Sequence, residues 1–516
     1  MGDINGNGFA KKRVVIIGAG VSGVTAARHL KHVGIDPVVY ERSNRIGGNW
    51  LYDERRPLEP TYPSLKASIA DPWIPKSAYV NGNGQVNGNK PEEEWTTDDD
   101  LRFAPPGPAY PGLTNNVSTK CQELKGFPWP EGTPDYVNVR VKQEYIQSYA
   151  EHFGVVPLIR FNTRVEKLEK VDNVWRVIST TLVKDEDGKT KTNERVEDFD
   201  AVVVASGHYH ASKVPDIPGL KKWKETWPNR VEHSKRYRGP EDFKDSTVLL
   251  IGGGVSSVDI GRECSGIAKK IYQSSRGGTF DLPESFISPE TERVAGIASF
   301  EPPSKGQSSG TVTLADGRIL TGIDRVVICT GYLFSLPFLL EYHNDNVKVE
   351  EVDEKTLVTD GLQLHNLHKD IFYIPDPTLS FIGVPAYTAT YSFFEFQSIA
   401  VAAVLSAHAF LPPPAEMRKE YEERVKEKGY GRAFHSLIRG QDVPYVEDLV
   451  GWLNRDAEKT GGDKWEPYSD AWKAEKAKLF EKYKGLLEGR GKVEKESGFG
   501  VESEMEKALK ELKVEQ

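Results

Sequence analysis

The chain has 516 residues, which at about 150 residues per domain gives a prior of roughly three domains. Lys and Arg number 67 against 76 Asp and Glu, a net charge of −9, so no broad basic field for nucleic acid or an anionic membrane is expected. With 38% hydrophobic and 10% aromatic residues, the chain can bury large cores and is too apolar for a disordered protein.

The N-terminal stretch MGDINGNGFAKKR has no apolar run after its charges, so no secretory signal is expected. Arg13–Glu41 then carries the first strong pattern. RVVIIG reads as a short buried strand, VTAARHLKHVG as a helix stopping at Gly34, and PVVYE as a second strand ending in Glu41. Between strand and helix stands Gly18-Ala19-Gly20-Val21-Ser22-Gly23. In a βαβ nucleotide site the first glycine makes the tight turn, the second admits a pyrophosphate to the backbone, and the third lets helix and strand pack closely. The helix N-terminus attracts the phosphates, and an acid at Glu41 meets ribose hydroxyls.

Residues 53–135 are rich in Pro, Gly and Asn and read as a loop-rich insertion, with NGNGQVNGNKPEEE as an excursion. A helix is expected over Val141–Phe153 and a small antiparallel sheet over Ile159–Thr181 with the turn EDGK. FDAVVVASG and IDRVVICTGY are buried strands ending in small-residue turns, and they bracket a second βαβ pattern at Ser246–Arg276. There STVLLIG leads to Gly252-Gly253-Gly254-Val255-Ser256-Ser257 and the helix VDIGREC, with Ser257 in the third glycine's place. The following strand AKKIYQSS ends in Arg276 where the first unit has Glu41. An acid repels a 2′-phosphate and an arginine pairs with it, so this unit is expected to take NADPH rather than NADH. DIPGL and the loop RGGTFDLPESF have punctuation suited to domain crossings.

Ile399–Leu411 is the longest nearly apolar run; a membrane span needs about 20 residues, so a buried helix is expected. Pro412–Gln516 is charged and largely helical, and Val501, Met505, Leu509 and Leu512 share one helical face for docking on the body or a partner. Cys121, Cys264 and Cys329 form no CxxC pair, which argues against a disulfide scaffold, a zinc ribbon and a dithiol oxidoreductase. The histidines are scattered, so no metal site is expected, and the compartment is expected to be the cytoplasm.

The expected fold is therefore α/β, with two Rossmann-like dinucleotide-binding domains and the NADPH domain inserted in a discontinuous FAD domain. The boundaries are 1–212 and 331–444 for FAD, 213–330 for NADPH, and 445–516 for a helical extension. A flavin reduced by NADPH needs an acceptor, and with no dithiol in the chain molecular oxygen is the next candidate.

These residues resemble the flavin-containing monooxygenases, among the class B flavoprotein monooxygenases, over about Arg13 to Leu411. Gly47-Gly48-Asn49-Trp50 is similar to the family's flavin loop, and YPGLTNNVS, followed by GFPWP, to the segment with an asparagine beside the flavin, here Asn116. The fingerprint FxGxxxHxxxY falls on Trp227, Asn229, His233 and Tyr237, of which the first two depart from it. That departure suggests an unusual substrate. RGPEDFKDSTVLLIGGG and CTGY match the family's NADPH run, and Glu395-x-Gln397 opens a helix like one near its flavin end. Tyr237-Arg238 replaces the Trp and Pro or Asp of the Baeyer–Villiger branch, whose insertion of oxygen into ketones is the nearest alternative. An NADPH oxidase-like flavoprotein is another.

The resemblance implies that NADPH reduces FAD, oxygen adds at C4a to give a hydroperoxide, and NADP+ stays to shield it while a soft nitrogen or sulfur takes one oxygen. Asn116 is then the catalytic candidate, and His233 organises the linker between domains. Cofactor contacts are expected at Gly18 to Gly23, Glu41, Arg42, Gly48, Asn49, Trp50, Asn115, Asn116, Val117, Val165 and Gln397 for FAD. For NADPH they are expected at Gly252, Gly254, Ser256, Ser257, Asp259 and Arg276. Expected partners are O2 and a small-molecule amine or thioether, with no nucleic acid, no transmembrane span, and a homodimer.

Overall fold

A computed structural model describes residues 13–71, 95–278, 280–303, 309–438 and 440–490. The excursion around NGNGQVNGNKPEEE and the helical face at Val501–Leu512 lie outside them. The chain opens with β1 (Arg13–Ile17), α1 (Val21–His32) and β2 (Asp36–Tyr40), and α2 (Thr97–Phe103) and α3 (Val139–His152) follow a long connection. β3 (Ile159–Arg160) joins β2 in parallel. The expected antiparallel sheet is β4 (Thr163–Val171), β5 (Val174–Lys184) and β6 (Thr190–Phe199); it runs on past Thr181 to Phe199 and leaves out Ile159–Arg160. β7 (Ala201–Val204) returns to pair with β1.

β8 (Ala211–Ser212) carries the chain out, and a second sheet forms before it comes back. That excursion holds α4 (Leu220–Thr226), β9 (Val231–His233), β10 (Thr247–Ile251), α5 (Val255–Cys264), β11 (Lys270–Ser274) and β12 (Thr291–Val294). A hairpin-like layer follows, β13 (Ile297–Glu301), β14 (Thr311–Leu314) and β15 (Ile319–Thr321), then β16 (Arg325–Ile328). The second sheet is parallel in the order β12-β11-β10-β16-β9. β17 (Tyr332–Leu333) runs back antiparallel to β8, so two short strands form the crossing. The loop RGGTFDLPESF is not at this crossing. It joins β11 to β12 and folds back on the second glycine turn, where Leu282 N donates to Gly253 O at 2.7 Å.

β18 (Leu367–His368), β19 (Phe372–Tyr373) and β20 (Leu379–Phe381) complete the first sheet in the order β18-β19-β20-β7-β1-β2-β3. α6 (Thr390–Leu405), α7 (Pro414–Lys428), α8 (Asp442–Thr460) and α9 (Asp470–Arg490) close the described chain. The alternation of a strand is visible in β1: Val14 and Ile16 enter one core with α1, α3, α6 and α8, while Val15 and Ile17 enter the other with β4 and β5. α6 begins well before the apolar run at Ile399, so Glu395 and Gln397 lie inside it rather than at its start. α8 contributes Val446, Leu449 and Leu453 to the first core and starts at Asp442, ahead of the expected boundary at 445. Among the described residues no helix is long and apolar enough to cross a membrane. The three cysteines are buried and unbridged.

Candidate functional site

Both glycine turns are shaped by their backbone neighbours. Gly18 has φ +101°, and a Cβ there would sit 2.7 Å from Ala205 O on the adjacent strand's end. Gly252 has φ +123°, with the corresponding clash 2.5 Å from Cys329 O. Only glycine is at ease in both respects. A Cβ on Gly23 would overlap Gly18 O outright, which is the close helix–strand packing expected of the third glycine. In the second turn Ser257 fills that place. Its Oγ donates to Gly254 O at 2.8 Å and accepts from Gln273 Nε2 at 2.8 Å, so helix and strand here are bridged by a hydroxyl.

The flavin-loop glycine Gly48 faces Gly20, and a Cβ on Gly48 would come 2.9 Å from Gly20 Cα. The two glycines leave a bare backbone cradle over the start of α1. α1 and α5 each begin at a glycine with no capping side chain and no acid in the first turn, so their end N–H groups stay free for an anion. Glu41 is buried at the end of β2, and its carboxylate accepts from Ala19 N at 2.7 Å and Ser43 N at 2.8 Å. Arg42 pairs with Asp71 at 3.1 Å. In the second unit Arg276 is exposed and, among the described residues, has no carboxylate partner.

A single cavity of about 1750 Å³ joins the two turns. Gly18, Gly20, Glu41, Arg42, Asn49 and Trp50 line one arm with Val165, and Gly252, Gly254, Ser256, Asp259 and Arg276 the other. Val21, Ser22, Gly48, Asn115, Asn116 and Val117 also reach it. Ala19, Gly23, Ser257 and Gln397 do not. The first three shape the turns from beneath, and Gln397 stands behind the wall: its Oε1 accepts from Gly383 N at 2.9 Å and its Nε2 donates to Tyr445 OH at 3.1 Å. Gly383 itself lines the cavity against Ser22.

The two adjacent asparagines divide the work. Asn115 is buried; its Nδ2 donates to Val117 O at 2.7 Å and Asp135 O at 2.9 Å, and its Oδ1 accepts from Val137 N at 2.6 Å. The turn is thereby locked, and Asn116 is left exposed to the cavity.

A family model described as flavin-binding monooxygenase-like matches residues 107–288 and 289–458. The chain belongs to that family. A second model, for an NAD(P)-binding Rossmann-like domain, matches residues 16–64. The monooxygenase is 41% identical over 504 residues to the flavin-containing monooxygenase ustF2 of Aspergillus flavus, covering 92% of this chain and 98% of that one. It is 32% identical over 484 residues to the flavin-containing monooxygenase iboF of Amanita muscaria, covering 87% and 89%. Its fold is like that of S-allyl-L-cysteine S-oxygenase from Allium sativum, with a TM-score of 0.66 at 24% identity over 98% of this chain and 99% of that one. It is thus an NADPH-dependent flavin monooxygenase with FAD and NADPH as cofactors. The residues present fit both groups: two uncapped helix starts, a glycine cradle, an acid at one strand end and an arginine at the other.

In the monooxygenase the fingerprint residues are struts. His233 is fully buried; its Nδ1 accepts from Lys235 N at 3.1 Å, leaving Nε2–H to donate to Gly331 O at 3.1 Å. Burial pushes its imidazole down to about 3, so it stays neutral and ties β9 to the return crossing. Tyr237 OH donates to Glu263 at 2.5 Å. Arg238 donates to the carbonyls of Asp53, Arg55 and Gly107 at 2.8, 2.9 and 3.2 Å, latching the inserted loop to the second domain. The departures from the fingerprint, Trp227 and Asn229, do not reach the cavity. Trp227 packs on Trp223 with ring centres 4.7 Å apart, and the backbone carbonyl of Asn229 accepts from Arg325 at 3.0 Å.

Sequence reasoning missed Lys142. It is fully buried on α3, its Nζ sits 3.4 Å from the Tyr391 ring centre with Trp50 and Trp129 near, and it donates to Gln122 Oε1. Gln122 Nε2 in turn donates to Val117 O at 2.8 Å, which braces the Asn116 turn. Burial drives this amine far below the usual lysine value. Its signal in the sequence was weak: a lysine at a helix position whose neighbours one turn away, Tyr145 and Ile146, are core. Lys142→Met is expected to cost about 1–3 kcal/mol in urea unfolding, because Gln122 loses its partner. It is also expected to raise the peroxide released per NADPH; an unchanged peroxide yield would limit Lys142 to packing.

Proposed function

We propose that this monooxygenase transfers one oxygen atom to a soft nitrogen or sulfur of a small molecule, an amine or a thioether. The observation that carries the reading is the exposed carboxamide of Asn116 on a turn locked by Asn115 and Gln122. FAD, when bound, supplies the redox chemistry that takes hydride from NADPH and activates O2. The chain's own residues bind, orient and exclude water. Asn116 donates a hydrogen bond where oxygen is handed over, and an amide does so without removing a proton, which suits a neutral oxygen donor and a nucleophilic acceptor. Insertion into a ketone calls instead for an anionic donor held by a cation. Arg238, which with Tyr237 stands where the Baeyer–Villiger branch carries Trp and Pro or Asp, donates to three carbonyls at the domain latch.

In this reading Gly18, Gly20, Val21, Ser22, Glu41, Arg42, Gly48 to Trp50 and Val165 hold FAD, with Ala19 and Gly23 shaping the turn beneath it. Gly252, Gly254, Ser256, Asp259 and Arg276 hold NADPH, and Ser257 and Gln397 support from behind. The first sheet supports a flavin unit of residues 1–212 and 331–444, and the second sheet an NADPH unit of 213–330.

The test is NADPH consumption with product mass over amines, thioethers and cyclic ketones. Sulfoxides, hydroxylamines or N-oxides support the reading; lactones alone would replace it, and peroxide alone would make the protein an NADPH oxidase. Asn116→Ala is expected to lower product per NADPH by about 3- to 10-fold, the worth of one neutral hydrogen bond, with flavin content unchanged. Unaltered coupling would remove Asn116 from the reaction.

A further inference from the structure

The C-terminal helix α9 is part of the cavity. Trp472 stacks on Tyr468 with ring centres 3.5 Å apart and donates from Nε1 to Cys121 O at 2.9 Å. Lys476 forms an ion pair with Asp442 of α8, both buried, so its charge is balanced where it stands. These anchors set α9 against residues 119–122, directly after the Asn116 turn. Leu479 and Trp472 pack on the cluster of Val117, Cys121 and Ala389. Lys476 and Leu479 both line the cavity, as do Val117, Leu113 and Phe286. Farther along, the helix passes Glu284–Phe286 of the second domain, so one element spans from the Asn116 turn to the NADPH side.

We propose that α9 is the substrate-selecting wall of this enzyme, with Leu479, Val117 and Leu113 receiving the hydrocarbon group carried by the oxygenated nitrogen or sulfur. The inference rests on the activity proposed above. The wall is built of aliphatic side chains beside Asn116, and Lys476, its one cation among the described residues, is neutralised by Asp442, so burying an alkyl or aryl group there gains transfer energy without stranding a charge. A helix outside both dinucleotide folds can vary its side chains without disturbing either cofactor, which is how a shared fold acquires its own substrate.

The test uses the full chain loaded with FAD, titrated with methyl thioethers of increasing alkyl length. Binding is read from the flavin absorbance change, and sulfoxide formation is measured separately. In Leu479→Ala the best-bound thioether is expected to lengthen by about three carbons, the number removed from the side chain. In Leu479→Trp the longest thioethers are expected to bind about 10-fold or more weakly, while the shortest change little. Circular dichroism melting of both variants separates this from misfolding, and either variant alone reads the wall. An unchanged order of affinities overturns the proposal, as does no thioether binding to any of the three proteins. Binding with the expected shifts but no sulfoxide leaves the wall in place and sinks the proposed activity instead.

Discussion

Gly23→Ala is expected to yield a protein that carries little or no flavin, with FAD affinity down by about two orders of magnitude or more. The added methyl overlaps Gly18 O, a backbone atom held by the Gly18 N–H to Tyr40 O bond of 2.8 Å, so it has no side chain to push aside. α1 must move away from β1, and its free N–H groups move with it. α1 is buried along most of its length against α6, where Thr25 Oγ1 meets Ser398 Oγ at 2.8 Å, so the movement strains a packed core as well. Overpacking of this kind costs typically 1–3 kcal/mol and sometimes more, and about 2.7 kcal/mol is already a hundredfold in affinity. Ser257→Gly, at the equivalent place in the second turn, is the control. There the chain already accommodates a Cβ, and losing the hydroxyl bridge should cost about 1 kcal/mol and leave FAD in place. The flavin-to-protein absorbance ratio of the two purified variants decides the matter, and full flavin in Gly23→Ala would refute the account.

The contrast explains what could be read in the sequence. The glycine turns were legible because their constraint is local: within six residues, a missing Cβ has one physical meaning, and strand, turn and helix follow at fixed offsets. The insertion was legible because two buried strands ending in small turns bracket a complete βαβ unit. Contacts between distant segments were not. Gln397 was placed at the flavin by analogy, yet it meets Gly383 and Tyr445, and only the fold brings those together. Lys142 draws its surroundings from Gln122, Trp50, Trp129 and Tyr391, four segments with no common pattern. The Trp227 and Asn229 departures looked informative because they break a motif, but neither residue lines the cavity: Trp227 packs on Trp223, and the backbone carbonyl of Asn229 accepts from Arg325. Among the described residues α9 was visible only as a charged helix. That it faces the cavity depends on Trp472 finding Cys121, 351 residues away.

Arg276→Ala should abolish most of the preference for NADPH over NADH while leaving bound FAD untouched. Arg276 follows β11 at the edge of the cavity, in the place that Glu41 takes after β2. The nearby acid is already committed: Asp281 accepts from Ser275 Oγ and from Gly278 N at 3.0 Å, which shapes the loop and leaves Arg276 without a carboxylate partner among the described residues. An arginine in that state offers its planar fork to a 2′-phosphate, and a charge-assisted pair is worth about 1.5–3 kcal/mol, or about 10- to 150-fold in affinity. Lys213 lies within electrostatic range of Arg276 on the same wall, and burial followed by Arg432 pulls its pKa down. A second cation at this site means that the single variant should keep a small residual preference, which the Lys213→Ala, Arg276→Ala double variant removes. Binding of NADP+ and NAD+ to the FAD-loaded protein, measured by calorimetry at low and high salt, reads the effect without turnover. The advantage of NADP+ should shrink with salt in the wild type and be nearly flat in the double variant. If Arg276→Ala keeps the wild-type ratio of the two affinities, the 2′-phosphate is held elsewhere and the assignment of this arm of the cavity falls with it.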